Sequence, residues 1–231
     1  MDIKATLAVL PIWYAVFLLS LTCHEAAHAW AARRGGDDTA YLGGQVTLNP
    51  VPHVMREPLG TVIVPLLTYF QTGWMMGWAS APYDPDWQDR HPGRAAAMAA
   101  AGPTANFVLA ALGFSCLKVG LSTGWFDVPL TPALDRLVVP MAGTPAVVDG
   151  LGRMLSILLV LNLVLLVFNA IPLPPMDGAS VLAGIVAPAR ELMDRLRRSP
   201  MASLAGLAAA WFLFPYAFGP VLRFVAARLY G

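Results

Sequence analysis

The sequence predicts an all-α polytopic membrane protein, a bundle of about four to six transmembrane or re-entrant helices. Hydrophobic residues make up 57% of the 231 residues and charged residues only 13%, whereas soluble globular proteins carry about 25% charged residues. Five stretches also lack Asp, Glu, Lys and Arg over roughly the 20 residues that a helix needs to cross the hydrocarbon core. The net charge of +1 argues against a nucleic-acid partner, because no basic stripe is available to neutralise phosphates.

The five uncharged stretches are the predicted membrane segments. They cover residues 5–23, 58–83, 95–117, 154–176 and 199–222. We interpret the first as a retained helix and not a signal peptide, because no small-residue cleavage site follows it. Its end is marked by Arg33, Arg34 and the Gly35-Gly36 pair, which are typical of a helix C-terminus. The second stretch contains proline, glutamine and glycine, so we expect it to be re-entrant or interfacial.

The connecting segments predict little further secondary structure. Residues 44–48 alternate in a strand-like way and precede Asn49-Pro50-Val51-Pro52, which favours a turn. We therefore expect a small β-hairpin or edge strand between the first two membrane segments. Residues 83–94 and 118–153 are predicted loops. Two cysteines cannot form a disulfide framework, and without a tandem repeat or an extra soluble domain we expect a single domain over residues 1–231.

The first membrane segment ends in a pattern typical of metal binding, His24-Glu25-Ala26-Ala27-His28. Its two imidazoles are four residues apart, on one face of a helix, where both can reach one Zn²⁺. Glu25 could then take a proton from metal-bound water and return it to a leaving amine. The histidines could instead simply hydrogen-bond to neighbouring helices. Burying two histidines and a glutamate at membrane depth is costly, however, and this favours a functional role.

A third ligand is expected because catalytic zinc usually has three protein ligands and one open position. Asp177 is the best candidate, since it follows an apolar run that three prolines interrupt. An irregular segment at membrane depth is tolerated only where it is buried in protein or lines a wet cavity. Asp177 could also cap the helix that begins near Ala179, a role compatible with ligation through its other oxygen.

Together these motifs resemble the site-2 protease family of intramembrane zinc metalloproteases, peptidase family M50, over nearly the whole chain. The resemblance rests on the residues 24–28, on Ala101-Gly102-Pro103-Thr104-Ala105-Asn106, and on Asn169 with Pro172-Leu173-Pro174-Pro175-Met176-Asp177-Gly178. It implies one zinc ion per chain, held by His24, His28 and Asp177, with Glu25 as the base. It also implies that Asn106 and Asn169 hold the substrate strand or stabilise the oxyanion.

Residues 44–85 look like the compact branch of that family, without PDZ or CBS domains. Members of this branch often carry a lysine after Gly-Trp-Ala, but here the residue is Ser80, so no role of that lysine transfers. His53 and His91 lie in proline-rich loops without a second ligand at helical spacing. A loop hydrogen bond is therefore expected for each, and a second metal site is the less favoured alternative.

The distribution of basic residues predicts the orientation. If the first helix enters from outside and ends inside at Arg33, nine of the fifteen basic residues lie on the inside, as the positive-inside rule requires. These are Arg33, Arg34, Arg56, Arg90, Arg94, Arg190, Arg195, Arg197 and Arg198. We expect a multi-pass protein of a prokaryotic plasma membrane, with the active site nearer the cytoplasm and transmembrane proteins as substrates. The alternative is a non-proteolytic metal-binding scaffold or transporter, although the chain lacks the internal duplication typical of transporters.

Overall fold

The computed structural model describes residues 3–231, which are mostly helical. In chain order the elements are α1 (Ile3–Arg34), α2 (Thr39–Leu42), α3 (Pro50–Arg56), a π-helical turn (Leu59–Ile63), α4 (Val64–Thr72), α5 (Pro85–Arg90), α6 (Pro92–Ser122), β1 (Phe126–Asp127), β2 (Val139–Pro140), α7 (Val147–Asn169), α8 (Asp177–Ile185), α9 (Ala187–Arg198) and α10 (Pro200–Tyr230). Four of these helices, α1, α6, α7 and α10, are long and apolar enough to cross a membrane. The predicted all-α polytopic fold is confirmed.

Helix α7 lies at the centre of the bundle. It packs against α6, α1 and α10, and 61% of its most apolar window is buried, compared with 11% for α10. One apolar cluster joins α6, α7 and α10 around Leu117, Leu159 and Val160. A second joins α1, α4 and α7 around Phe17 and Ile157. The near-continuous Leu, Val and Ile content of α7 fits this position, because every face of the helix meets protein.

Helix α1 ends where its sequence signals predicted. The N–H of Gly35 donates to the carbonyl of Ala31, and Gly36 has a φ of 94°, the left-handed conformation that glycine adopts without strain. The loop beyond is fixed by Asp37, whose carboxylate accepts hydrogen bonds from Thr39 and from the N–H of Asp84. The C-terminal end of α1 is thus tied to the segment that leads into α5.

Residues 58–83 fold back on themselves, as expected of a re-entrant segment. The π-helical turn and α4 form one limb, which is shorter than a span. Gly73, with a φ of 79°, ends α4 and reverses the chain. The returning limb lies so close to the first that Trp78 N–H donates to the Gly60 carbonyl, and a Cβ on Gly77 would lie only 2.1 Å from that oxygen. Glycine is required at this contact because no side chain fits.

The β-hairpin does not lie where the sequence predicted it. Residues 44–48 form a turn and a bend without a strand partner among residues 3–231, and Asn49 caps α3 by accepting from Val51 N–H. The antiparallel hairpin pairs β1 with β2 instead, between α6 and α7. Its anchor is the buried ring of Phe126, which fills the space left by Gly120 and Gly152. Each strand has only two residues, which is too short for an alternation of polar and apolar residues to be seen in the sequence.

Candidate active site

The two histidines of α1 face the same point. His24 and His28 are buried, their Nε2 atoms lie 2.9 Å apart, and their ring planes are nearly perpendicular. The spacing of four residues places one ring above the other on the helix face that meets α6 and α7. The predicted shared ligand face is therefore present.

Asp177, far from the two histidines in the sequence, lies at the same point. It is the first residue of α8, which follows the irregular segment 170–176 after α7. Its Oδ2 lies 3.2 Å from His24 Nε2 and 3.3 Å from His28 Nε2. Gly178 makes this approach possible, because a Cβ there would lie 2.4 Å from the Ala170 carbonyl oxygen. The start of α8 can thus pack directly on the end of α7.

Helix α6 supplies both the space and the support for the two imidazoles. At Gly102 a Cβ would lie 2.3 Å from His28 Nε2 and 2.6 Å from His24 Nε2, so only glycine fits. The Nδ1 atoms bind to the same helix: His28 Nδ1 lies 2.8 Å from the Met98 carbonyl oxygen, and His24 Nδ1 lies 2.5 Å from Asn106 Oδ1. Both partners are oxygens that can only accept a hydrogen bond. Each Nδ1 therefore carries the ring proton, and each Nε2 presents a lone pair.

The three converging atoms fit a divalent metal ion. Metal-to-ligand distances of about 2.0–2.1 Å in tetrahedral geometry place ligand atoms roughly 3.3 Å apart, close to the distances around Asp177 Oδ2. That oxygen is buried and accepts no hydrogen bond of normal geometry. The spacing of the three atoms and the unpaired, buried oxygen both indicate that a positive charge belongs at this point.

Comparison with known proteins gives the family. The model of peptidase family M50 matches residues 12–213, most of the chain. The chain belongs to peptidase family M50. It is 33% identical over 183 residues, 79% of this chain and 72% of the relative, to "Putative zinc metalloprotease YwhC" of Bacillus subtilis (strain 168). It is 29% identical over 179 residues, 72% of this chain and 54% of the relative, to "Putative zinc metalloprotease Rip2" of Mycolicibacterium smegmatis (strain ATCC 700084 / mc(2)155). No solved structure matches the chain.

Glu25 of this M50 peptidase is buried in the same turn of α1. It directly follows His24, so its side chain projects about 100° further round the helix than that ligand. A carboxyl group in this position lies beside the two imidazoles in the chain without occupying the helix face where they meet Asp177. Membership of the M50 family and the names of both relatives support a membrane metalloprotease.

Two apolar grooves flank α6 on either side of the site. The first, of about 530 Å³, lies between α1, residues 46–48 and α6. The second, of about 540 Å³, lies between α6, the end of α7 and α8. Asn169 lines the second groove, where its Nδ2 donates to the Leu165 carbonyl of its own helix. Both grooves are open and mainly apolar, which suits a peptide segment with hydrophobic side chains.

The other predicted polar residues lie apart from the metal site. His53 is buried and its Nε2 donates to the Thr47 carbonyl, so it supports the wall of the first groove. His91 packs against the ring of Trp87. Ser80 donates to Glu57 Oε1 at 2.7 Å. In the described part of the chain, the cluster of three metal-ligating side chains comprises His24, His28 and Asp177.

The sequence prediction missed two residues that shape the site. Gly102 was noted only as part of a motif, although it makes room for both rings. Asn162 was not singled out, although it is fully buried and binds Asn106. Its signal was present as a single amide within the apolar run of α7, where a polar side chain requires a partner.

Proposed function

We propose that this protein is an intramembrane zinc metalloprotease that hydrolyses peptide bonds in or near the transmembrane segments of membrane proteins. The observation that carries the proposal is the convergence of His24, His28 and Asp177 inside a bundle of membrane-spanning helices. Family membership supports the reaction class. The buried position of the site supports a substrate that enters from the membrane and not from bulk water.

Each site residue has a role that follows from its chemistry. His24, His28 and Asp177 would hold one zinc ion through two nitrogens and one carboxylate oxygen, a typical ligand set for catalytic zinc. Zinc bound there supplies a Lewis acid that polarises the scissile carbonyl and acidifies water. Glu25 takes the proton of the attacking water and gives it to the amine that leaves. Burial of Glu25 suits this exchange, because it keeps bulk water from competing for the proton.

The substrate segment has to be extended at the site. A helical substrate hides its peptide bonds in internal hydrogen bonds, so it must unwind before attack. Residues 46–48 line the first groove as a bent segment outside any helix, and no strand pairs with them among residues 3–231. An unwound substrate could pair with this backbone by β-addition. Asn169 lines the second groove, and we assign it a contact with the substrate strand there.

The proposed location is a prokaryotic plasma membrane, with the site nearer the cytoplasm. Arg33 and Arg34 end α1, where Arg94 near the start of α6 donates to the Gly35 carbonyl. Arg198 of α9 pairs with Asp89 just before α6, so these basic residues lie at one end of the bundle. By the positive-inside rule we assign that end to the cytoplasm. Water would then reach the site from the cytoplasmic side.

Replacement of Glu25 by Gln tests the function. We expect the E25Q variant to bind zinc as the wild type does while cleavage of a model membrane substrate falls by about 100-fold or more, the usual contribution of a general base. Glu57→Gln is the matched control, since this carboxyl binds Ser80 away from the metal site, and it should retain cleavage. Comparing the membrane proteomes of cells with wild-type and E25Q protein would identify substrates that accumulate uncut. Undiminished cleavage by E25Q would show that Glu25 is not the base. Zinc binding without cleavage by the wild type would support the scaffold or transporter instead.

A further inference from the structure

A line of buried hydrogen bonds connects the middle of α7 to the His24 ring. The Nδ2 of Asn162 lies 2.8 Å from the carbonyl oxygen of Leu158 and 2.8 Å from Ser20 Oγ. Its Oδ1 lies 2.8 Å from Asn106 Nδ2, and Asn106 Oδ1 in turn lies 2.5 Å from His24 Nδ1. Ser20, Asn106 and Asn162 are all fully buried. Neutral groups thus link two other spans to a metal ligand.

Asn162, at the end furthest from His24, fixes which atoms donate and which accept in this chain of hydrogen bonds. A backbone carbonyl can only accept, so the atom of Asn162 beside Leu158 must be its NH₂ group. The oxygen of Asn162 therefore faces Asn106, which must present its own NH₂ group to it. This leaves the oxygen of Asn106 facing His24, and Nδ1 of the ring must carry the proton. The Leu158 carbonyl thereby determines that His24 Nε2 presents a lone pair.

We propose that Asn162 is a positioning residue of the metal site, holding His24 through Asn106 in the one tautomer that can bind metal through Nε2. The inference rests on the proposed function, because it concerns the same zinc ligands. It also gives Asn106 a role different from the substrate contact that the family resemblance implied. Both polar ends of Asn106 bind protein groups, and the residue is inaccessible to a substrate.

Without Asn162 a competing arrangement becomes available. Asn106 could then turn its NH₂ group toward His24, whose Nε2 would carry the proton. That proton would point at Asp177 Oδ2, only 3.2 Å away, and form a charge-assisted hydrogen bond. Two of the three ligands would then bind each other, and zinc would have to break this contact. The contact of Asn106 Nδ2 with the Ser20 carbonyl, at 3.5 Å, is too long to prevent the reversal alone.

Two substitutions at one position separate positioning from packing. Asn162→Leu has a similar size but removes the acceptor for Asn106. Asn162→Asp keeps that acceptor whether or not the carboxyl group is ionised, so Asn106 keeps its direction. A carboxyl group at membrane depth is costly, so a purely structural role predicts that Asp is at least as harmful as Leu. Positioning predicts the reverse order for zinc affinity.

The measurement is the dissociation constant for zinc, obtained by competition with a chelator on the full chain in lipid nanodiscs. We expect Asn162→Leu to weaken zinc binding by about tenfold or more, as is typical when the partner of a metal ligand is changed. Asn162→Asp should stay much closer to the wild type, even if it unfolds at a lower temperature. Ser156→Ala is the control, because Ser156 is a buried, doubly hydrogen-bonded residue of α7 that does not contact Asn106.

A second measurement needs no variant. In the metal-free wild type with ¹⁵N-labelled histidine, His24 Nδ1 should be protonated and hydrogen-bonded, and only four histidines have to be assigned. An unprotonated Nδ1 would overturn the inference, as would wild-type zinc affinity in Asn162→Leu or equal losses in the Leu and Asp variants. Neither measurement requires cleavage, so an inactive protein with a protonated Nδ1 would refute the protease function and leave this inference standing.

Discussion

Two polar clusters lie at different positions along α7 and differ in charge and burial. The amide cluster, formed by Ser20, Asn106 and Asn162 beside His24, is uncharged and fully buried. The ion-pair cluster lies about 20 Å away at the start of α7 and consists of four charged residues, Asp135, Arg136, Asp149 and Arg153. Its side chains remain between 19% and 40% exposed.

The difference shows how this protein manages polar groups inside a membrane. Where water is absent, an unpaired charge would be very costly, so the amide cluster uses neutral groups whose donors and acceptors match one to one. Where the helix meets water, charged groups are tolerated because they remain partly solvated. The buried arrangement transmits orientation to a ligand, whereas the exposed one holds the 126–153 segment in place.

The largest effect is expected where the metal ligands have no spare room. Gly102→Ala would push a Cβ to within 2.3–2.6 Å of both Nε2 atoms, so we expect zinc affinity and cleavage to fall by about 100-fold or more. Gly93→Ala, in the first turn of the same helix and with open space around it, is the control and should bind zinc normally. Zinc titration of both variants measures the effect. Normal affinity in Gly102→Ala would mean that α6 does not shape the site.

A smaller effect is expected from Ser20→Ala in the amide cluster. The change leaves one N–H of Asn162 without an acceptor in a fully buried position, which costs about 1–3 kcal/mol of the free energy of unfolding. Zinc affinity should hardly change, because the Leu158 carbonyl still directs Asn162. Thermal unfolding in detergent, with the exposed Ser122→Ala as reference, tests the first part. A large loss of zinc affinity would show that Ser20, and not Leu158, sets the direction.

The smallest effect is expected in the ion-pair cluster. Arg153→Met removes the ion pairs with Asp135 and Asp149 but leaves the pair between Arg136 and Asp149. We expect a loss of about 1 kcal/mol or less, shrinking as salt is raised, with unchanged zinc affinity. Unfolding at low and high ionic strength provides the comparison. A loss larger than that of Ser20→Ala would reverse the ranking of the two clusters.

Much of the fold and site followed from local patterns. The uncharged stretches located the four helices that, among residues 3–231, are long and apolar enough to cross a membrane. The proline, glutamine and glycine content of residues 58–83 indicated a segment that turns back. The two histidines could be paired because a helix repeats every 3.6 residues. The hairpin was misplaced because its strands have only two residues each and are held by Phe126, whose contact with Gly152 comes from a distant position in the chain.

The sequence by itself determined which residues are able to bind a metal, because their chemistry and helical spacing are local properties. Only the tertiary structure decided that Asp177 meets both imidazoles, that Gly102 leaves them room and that Asn162 directs His24 through Asn106. These facts depend on the packing of α1, α6, α7 and α8 to within a few tenths of an ångström. Hydrogen-bond direction and steric fit change over such distances, and residues 82 or 142 positions apart in the chain carry no mark of their contact.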